Sequence, residues 1–298
     1  MAVLGQVRQG GGPGPRGLQA GTRPTAAGLL EPLSVSSIAA NTTEMQPVSG
    51  SILYLGDTHL ESAAAYLAGL MHRWGWTFDY VPSHEPLSPR LLDEPRALFV
   101  LSDYPAACLA TSLQQRLIAQ VVDGAGLVMI GGWESFHGCG GDWDGTSVAE
   151  ALPVIMERRD DRINCDQPTL LCATGVHPVT QGLPWEAHPP LIGGLNRIQP
   201  KPDATTLLEA QRFRVSQQGG RFVFEPMNRY TVLVVGRHGR GRTAALATDV
   251  APHWVGGLVD WGERRIRAQA PSAEAIEVGQ WYEAFFHQLL RWVGQLDA

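Results

Sequence analysis

Cysteine is scarce in this chain: four in 298 residues, at Cys108, Cys139, Cys165 and Cys172. None forms a C-x-x-C pair, which excludes a zinc knuckle. The start of the sequence lacks the continuous apolar segment of a secretory signal, so disulfides are not expected and the thiols read as reduced and mostly buried. No apolar run reaches the ~18–20 residues needed to span a bilayer. Positive charge is also short, with 23 Lys and Arg against 29 Asp and Glu and a net charge of -6. That argues against a surface that tracks nucleic-acid phosphates. The one basic run, Arg237-His-Gly-Arg-Gly-Arg242, lacks the Gly-Lys-Ser/Thr ending of a P-loop and does not open a helix, so it reads as a hairpin turn with exposed arginines. There is no internal repeat, and no motif requires a cofactor. These absences leave a cytoplasmic globular protein whose expected partner is a small molecule, with neither nucleic acid nor membrane involved.

What is present is a sizeable core: 44% of the residues are hydrophobic. Residues 1–48 are rich in Gly, Pro, Ala, Ser and Thr and have no sustained periodicity. Such a segment cannot offset its ordering entropy and is expected to be a disordered tail. A single domain is expected over 49–298. Its centre is Leu127 to Ile130, a continuous apolar run preceded by helix-like sequence and ended by Gly131-Gly132. This reads as a strand buried on both faces.

Around it, Ser51–Gly56, Thr77–Val81 and Arg96–Leu101 read as strands. A helix carrying Ala63, Leu67, Leu70, Met71 and Trp74 follows the first. Ser112 with Gln115 gives a capping-box pattern for a second helix, whose buried stripe is Leu113, Leu117, Ile118, Val121 and Val122. Strands alternating with helices imply right-handed crossovers and a parallel sheet. The loop His137–Thr146 is too long for a plain connector and can cover a site. Ser147–Leu152 is expected to form a turn or two of helix. Thr169–Ala173, Thr205–Ala210 and Arg221–Phe224 read as strands of an antiparallel extension, with a short helix within 177–185. Tyr230–Gly236 and Thr243–Thr248 read as a hairpin. A terminal helix is expected from Glu274 to Val293, its apolar face formed by Val278, Trp281, Tyr282, Phe285, Leu289 and Trp292.

The order of these elements carries a resemblance. Ser102-Asp103-Tyr104 ends a strand, and Gly-Leu-Val-Met-Ile-Gly-Gly-Trp-x-Ser-Phe follows a capped helix. Leu152-Pro153-Val154, Asp160-Asp161-Arg162, His177-Pro178, Gly239-Arg-Gly-Arg242 and Thr248-Asp249-x-Ala-Pro-His-Trp254 then occur in sequence. Together, over roughly residues 50–295, they resemble the glutamine amidotransferase-like branch of the class I glutamine amidotransferase superfamily. The resemblance implies a three-layer α/β fold of flavodoxin type, a mainly parallel sheet with an antiparallel extension. It also implies a nucleophile elbow after the central strand. In active class I enzymes the elbow cysteine attacks the glutamine amide, a later histidine activates it, and a glutamate two residues on orients that histidine. Here the elbow reads Ile130-Gly131-Gly132-Trp133-Glu134-Ser135, without cysteine. His253 falls near the histidine position, but Val255 stands where the acid belongs. Glutaminase chemistry by that route is therefore not expected.

In an open α/β sheet, chemistry collects beyond the carboxyl ends of the strands. That rule selects Asp249 and Ser135 as catalytic candidates, to which the resemblance adds His253, and Asp57, Asp103, Tyr104, Gly132 and Trp133 as ligand-binding candidates. Each has a plainer alternative. The aspartates can cap the next turn, His253 can be structural, and Trp133 can plug the vacant nucleophile space or offer a stacking platform for a sugar. Ser135 needs a base in reach to act as a nucleophile. Cys139 can swing in to pair with His253 or His137, or be incidental. Three functions stay open: an amidotransferase-like hydrolase with altered chemistry, a non-catalytic ligand-binding module akin to trehalose-utilisation proteins, and a metal-dependent hydrolase using His253 with Asp57, Asp103 or Asp249.

Overall fold

The apolar run at the centre of the sequence is also the centre of the molecule. The computed structural model describes residues 51–167 and 169–296; the tail expected at 1–48 lies outside them. Gly126–Ile130 (β4) is buried along its whole length, as a strand covered on both faces must be. It is the fourth strand of an eight-stranded sheet.

Five strands of this sheet run parallel: Phe78–Val81 (β2), Ser51–Gly56 (β1), Arg96–Ser102 (β3), β4 and Gly241–Leu246 (β12), in that spatial order. The chain moves outward from β1 to β2 through Ala65–Arg73 (α1), then returns past β1 to β3. It continues the other way to β4 through Thr111–Asp123 (α2). Right-handed crossovers in opposite directions put α1 and α2 on opposite faces, and the reversal between β1 and β3 creates a switch point at the carboxyl edge. This is a flavodoxin-like α/β sheet.

Beyond β12 the sheet continues antiparallel through Arg221–His238 (β11), Thr205–Gln218 (β10) and Thr169–Ala173 (β7). Short antiparallel pairs join Val154–Met156 (β5) to Ile198–Pro200 (β9), and Arg162–Asn164 (β6) to Gly194–Asn196 (β8). Ser147–Ala151 (α3) precedes β5, and Pro252–Val255 (α4) follows β12. The closing helix, Gln280–Gly294 (α5), buries Tyr282, Phe285, Phe286, Leu289, Leu290 and Val293. It packs across β3, β4 and β12. No helix among the described residues is long and apolar enough to cross a membrane.

The structure corrects several local expectations. Glu274–Gly279 is not the start of the last helix, because Ile276–Gly279 (β14) pairs with Arg265–Ala268 (β13) and α5 begins only at Gln280. Arg221–Phe224 and Tyr230–Gly236 are not separate strands but parts of the single 18-residue β11. Residues 177–185 form turns without a helix. Ser112 makes no capping bond, since α2 starts one residue before it with Ala110 as N-cap, and Val122 is exposed at the far side of that helix.

Candidate functional site

Three aspartates lie just past three strands of the parallel sheet. Asp57 directly follows β1 and Asp103 directly follows β3. Asp249 comes after Ala247-Thr248, the two residues that leave β12. Asp57 and Asp249 are fully buried, and Asp103 is partly so. Asp57, Thr58 and Asp103 adopt left-handed backbone angles, with φ of 54°, 67° and 46°. Such strain in residues other than glycine collects where side chains must be aimed. Gly56, at φ 112°, has room only for hydrogen, since a Cβ there would lie 1.8 Å from the Ser102 carbonyl oxygen.

The three carboxyl groups interact electrostatically. Burial is the largest cause of the rise in Asp57, followed by the charges of Asp249 and Asp103. Burial and then Asp249 push Asp103 up to about 7, against the opposing pull of the Glu134 and Trp133 amides. Burial raises Asp249 to about 7, opposed by the amides of Ala251 and Val250. Near neutral pH the cluster therefore shares protons instead of carrying three full charges. The Tyr54 hydroxyl donates to Asp57 Oδ2, whereas Asp57 Oδ1 and Asp249 Oδ2 are buried with no hydrogen-bond partner among the described residues.

Asp249 does two things. Its Oδ1 accepts from the amides of Val250 (2.6 Å) and Ala251 (3.1 Å), fixing the turn into α4. Its Oδ2 lies 3.2 Å from Nε2 of His253, whose side chain is 54% exposed. The two are close enough to pair as ions, but their alignment is not that of a hydrogen bond. A small turn of the imidazole, which solvent leaves room for, would make an oriented acid–base pair.

The elbow is held from several sides. Gly131 N donates to the carbonyls of Leu246 and Thr248, at 2.7 and 3.1 Å. Asn196, fully buried on β8, accepts from Gly132 N (3.0 Å) and donates to Gly132 O (3.1 Å) and Asp161 Oδ1 (2.7 Å). Asp161 in turn accepts from the amides of His137 and Gly138, both at 3.1 Å. Asp103 Oδ1 accepts from Glu134 N at 2.8 Å, while Ser135 Oγ accepts from Asp103 N at 2.9 Å. A Cβ on Gly132 would fall 2.1 Å from Asp103 Oδ1. The carboxylate thus lies against the elbow, in contact with amides that would otherwise be free to receive a ligand oxygen.

Of the candidates, Asp57, Asp103, Asp249 and His253 are brought to one edge, with Gly132 and Trp133 beside Asp103. Ser135 is buried and its hydroxyl is engaged by the Asp103 amide. Tyr104 is not at the surface of the site: it is fully buried, and its hydroxyl donates to the carbonyls of Glu85 (2.8 Å) and Cys108 (3.1 Å). Trp133 is 49% exposed, with the Arg162 guanidinium 4.3 Å from its ring centroid. Two bonds to Asp160, at 2.9 and 2.7 Å, hold that guanidinium. His137 pairs with Asp144 at 2.6 Å, Cys139 is exposed, and no thiol among the described residues hydrogen-bonds to His253. The loop 137–146 is pinned by buried Trp143, whose indole donates to Tyr104 O at 2.8 Å. No group of three or more His, Cys, Asp or Glu side chains among the described residues is placed to hold a metal ion, so the metal-dependent hydrolase gains no ligand set.

Asn196 and its tie to Asp161 escape sequence reasoning. Asp161 stands in the Asp-Asp-Arg motif, but nothing local marks Asn196, which lies 64 residues from the glycine it braces.

The family model described as "Putative glutamine amidotransferase" matches residues 97–266, more than half of the chain. The chain belongs to this family. Two solved structures similar to this amidotransferase-like chain are cytoplasmic proteins of Salmonella typhimurium. One has a TM-score of 0.62 at 22% identity, covering 82% of this chain and 98% of its own. The other, from strain LT2, has a TM-score of 0.62 at 23% identity, covering 82% and 99%. A ThuA-like protein of Parabacteroides merdae aligns with a TM-score of 0.50 at 15% identity, covering 84% and 90%. At these identities the likeness shows the fold alone. No curated protein matches the sequence.

Proposed function

We propose that this amidotransferase-like chain binds a small polyhydroxylated ligand, of carbohydrate type, at the carboxyl edge of its sheet, and that it does not cleave glutamine through a cysteine. The observation that carries the reading is Asp103: its carboxylate accepts the Glu134 amide at the elbow, where no thiol stands. Proton-sharing carboxyls suit hydroxyl groups, because each can accept or donate a hydrogen bond. The exposed Trp133 ring, steadied by Arg162, supplies the apolar wall against which a sugar face can pack. One structural neighbour is named ThuA-like, and a carbohydrate ligand is what a related trehalose-utilisation-type branch suggests. A cytoplasmic setting and a small-molecule partner, with no nucleic acid, complete the proposal; the two Salmonella typhimurium neighbours are described as cytoplasmic.

A second reading adds catalysis on the same ligand. It is favoured by the Asp249–His253 contact at 3.2 Å, with the acid buried and the imidazole open to solvent. Thermal-shift and calorimetric titration against mono- and disaccharides tests the first reading. The expected result is a ligand-dependent rise in Tm that Trp133→Ala and Asp103→Asn abolish, with no ammonia released from glutamine. Glutamine cleavage, or saccharide binding untouched by both substitutions, would overturn it. Turnover lost in His253→Ala with binding retained would establish the second.

A further inference from the structure

The basic run Arg237–Arg242 forms the hairpin between β11 and β12, and its three arginines have different surroundings. Arg240, in the turn, is held by the carbonyl and carboxylate of Asp123, at 2.7 and 3.2 Å. Arg237 and Arg242 stand directly opposite each other across the two strands. Side chains so placed share a face of the sheet, and like charges directly opposite destabilise it. Among the described residues neither of these two guanidinium groups pairs with a carboxylate. That of Arg242 lies 4.8 Å from the Trp292 ring centroid and donates to the Trp292 carbonyl at 2.7 Å. Its Nε is buried with no partner among the described residues. The pair sits at the amino end of β12, the opposite edge of the sheet from Asp249.

Beside the pair is a cavity of about 390 Å³, lined in part by His177, Asp203, Val235, Arg237 and Trp292. That size falls within the range of small-molecule sites, ~300–1,000 Å³. The His177 and Trp292 rings meet edge to face, 4.9 Å between centroids. His177 Nδ1 accepts from the Val179 amide at 3.2 Å, which places the ring proton on Nε2 and makes that atom a donor. Burial, and then the Arg242 charge, hold the imidazole below its usual value, in keeping with a neutral donor. Asp203 is the one acid in the lining, and its charge also acts on Lys201.

Two opposed cations without a counter-charge, a histidine donor and an indole wall therefore meet at one cavity. An anion completes this arrangement, because it bonds to the donors and relieves the repulsion between the arginines. We infer that the cavity binds a small organic phosphate, with its phosphoryl oxygens on Arg237 and His177 and its organic part against Trp292 and Val235. A phosphate monoester suits the site better than a carboxylate, because its charge of about −1.5 to −2 can offset both guanidinium groups. Recognition is by side chains, which is why no P-loop pattern accompanies the basic run. This site is independent of the saccharide site at the carboxyl edge.

Calorimetric titration of the full chain with phenyl phosphate, inorganic phosphate and phenol tests this. Phenyl phosphate is expected to bind more tightly than either of its parts, and less tightly as salt is added. Arg237→Gln should weaken that binding ~10-fold or more. The same substitution should raise the Tm of the ligand-free protein, because the opposed charge is gone. Trp133→Ala, at the other edge, should leave phenyl phosphate binding unaltered, so that this site and the saccharide site succeed or fail separately. Absence of phenyl phosphate binding, or binding no tighter than that of inorganic phosphate, would overturn the inference. So would binding that survives Arg237→Gln or is lost in Trp133→Ala, or a ligand-free Tm that Arg237→Gln does not raise.

Discussion

Gly132 and Asp103 form the tightest contact at the site. A methyl group at position 132 would sit 2.1 Å from Asp103 Oδ1 and 2.3 Å from its carboxyl carbon, so the acid, the elbow or both would have to move. Gly132→Ala is expected to cost ~1–3 kcal/mol, the usual range for overpacking, read as a lower urea midpoint with an unchanged slope. In an Asp103→Ala background the same substitution should cost less, because the colliding carboxylate is gone, and a double-mutant cycle measures the difference. The three aspartates are legible in the sequence because each follows an apolar strand, and His253 because it falls where the family resemblance puts the activating histidine. Asn196 is not: a buried asparagine that braces a distant loop leaves no periodic or local trace.

Helix ends show how far local patterns reach. Thr146 caps α3, its Oγ1 accepting from Ala149 N at 3.2 Å, and no capping box marks it in the sequence. Ser112 and Gln115 have the pattern of a capping box but lie inside α2, which begins at Thr111 after an extended Ala110. Thr146→Ala is therefore expected to lose ~1 kcal/mol, whereas Ser112→Ala should stay within ~0.5 kcal/mol of the parent, both by chemical denaturation. Strands divide in the same way. The buried β4 announces itself as an unbroken apolar run. β10 and β11 extend far beyond their apolar ends, because their outer parts are exposed and the alternation there mixes arginine, glutamine and serine with phenylalanine. β14 reads as helix in the sequence because Val278 keeps the three- and four-residue spacing to Trp281 and Tyr282 that continues through α5.

The carboxyl cluster sets how the whole molecule responds to pH. Asp103 and Asp249 are raised to about 7, and burial with neighbouring charge holds Asp57 well above the usual carboxylate range. In the unfolded chain each returns to about 3.9. The folded state therefore binds more protons than the unfolded state between these limits, and stability falls as pH rises across that window. The contribution is fully present below the unfolded value and is lost as pH passes the folded values. His137, raised chiefly by its hydrogen bond to Asp144, acts in the same direction. Asp160, lowered to about 2 by Arg162, acts in the opposite sense, but only as acid is added below the unfolded value, and its carboxylate is exposed. Tm should accordingly be higher at about pH 5.5 than at about pH 8.5, the reverse of a protein stabilised by paired carboxylates. Asp249→Asn removes the fully buried member whose charge raises both Asp57 and Asp103. It should flatten the profile and raise Tm at the alkaline end, measured by calorimetry across the range. A profile that rises with pH, or one that Asp249→Asn leaves unchanged, would mean that the three acids are ionised and separately solvated.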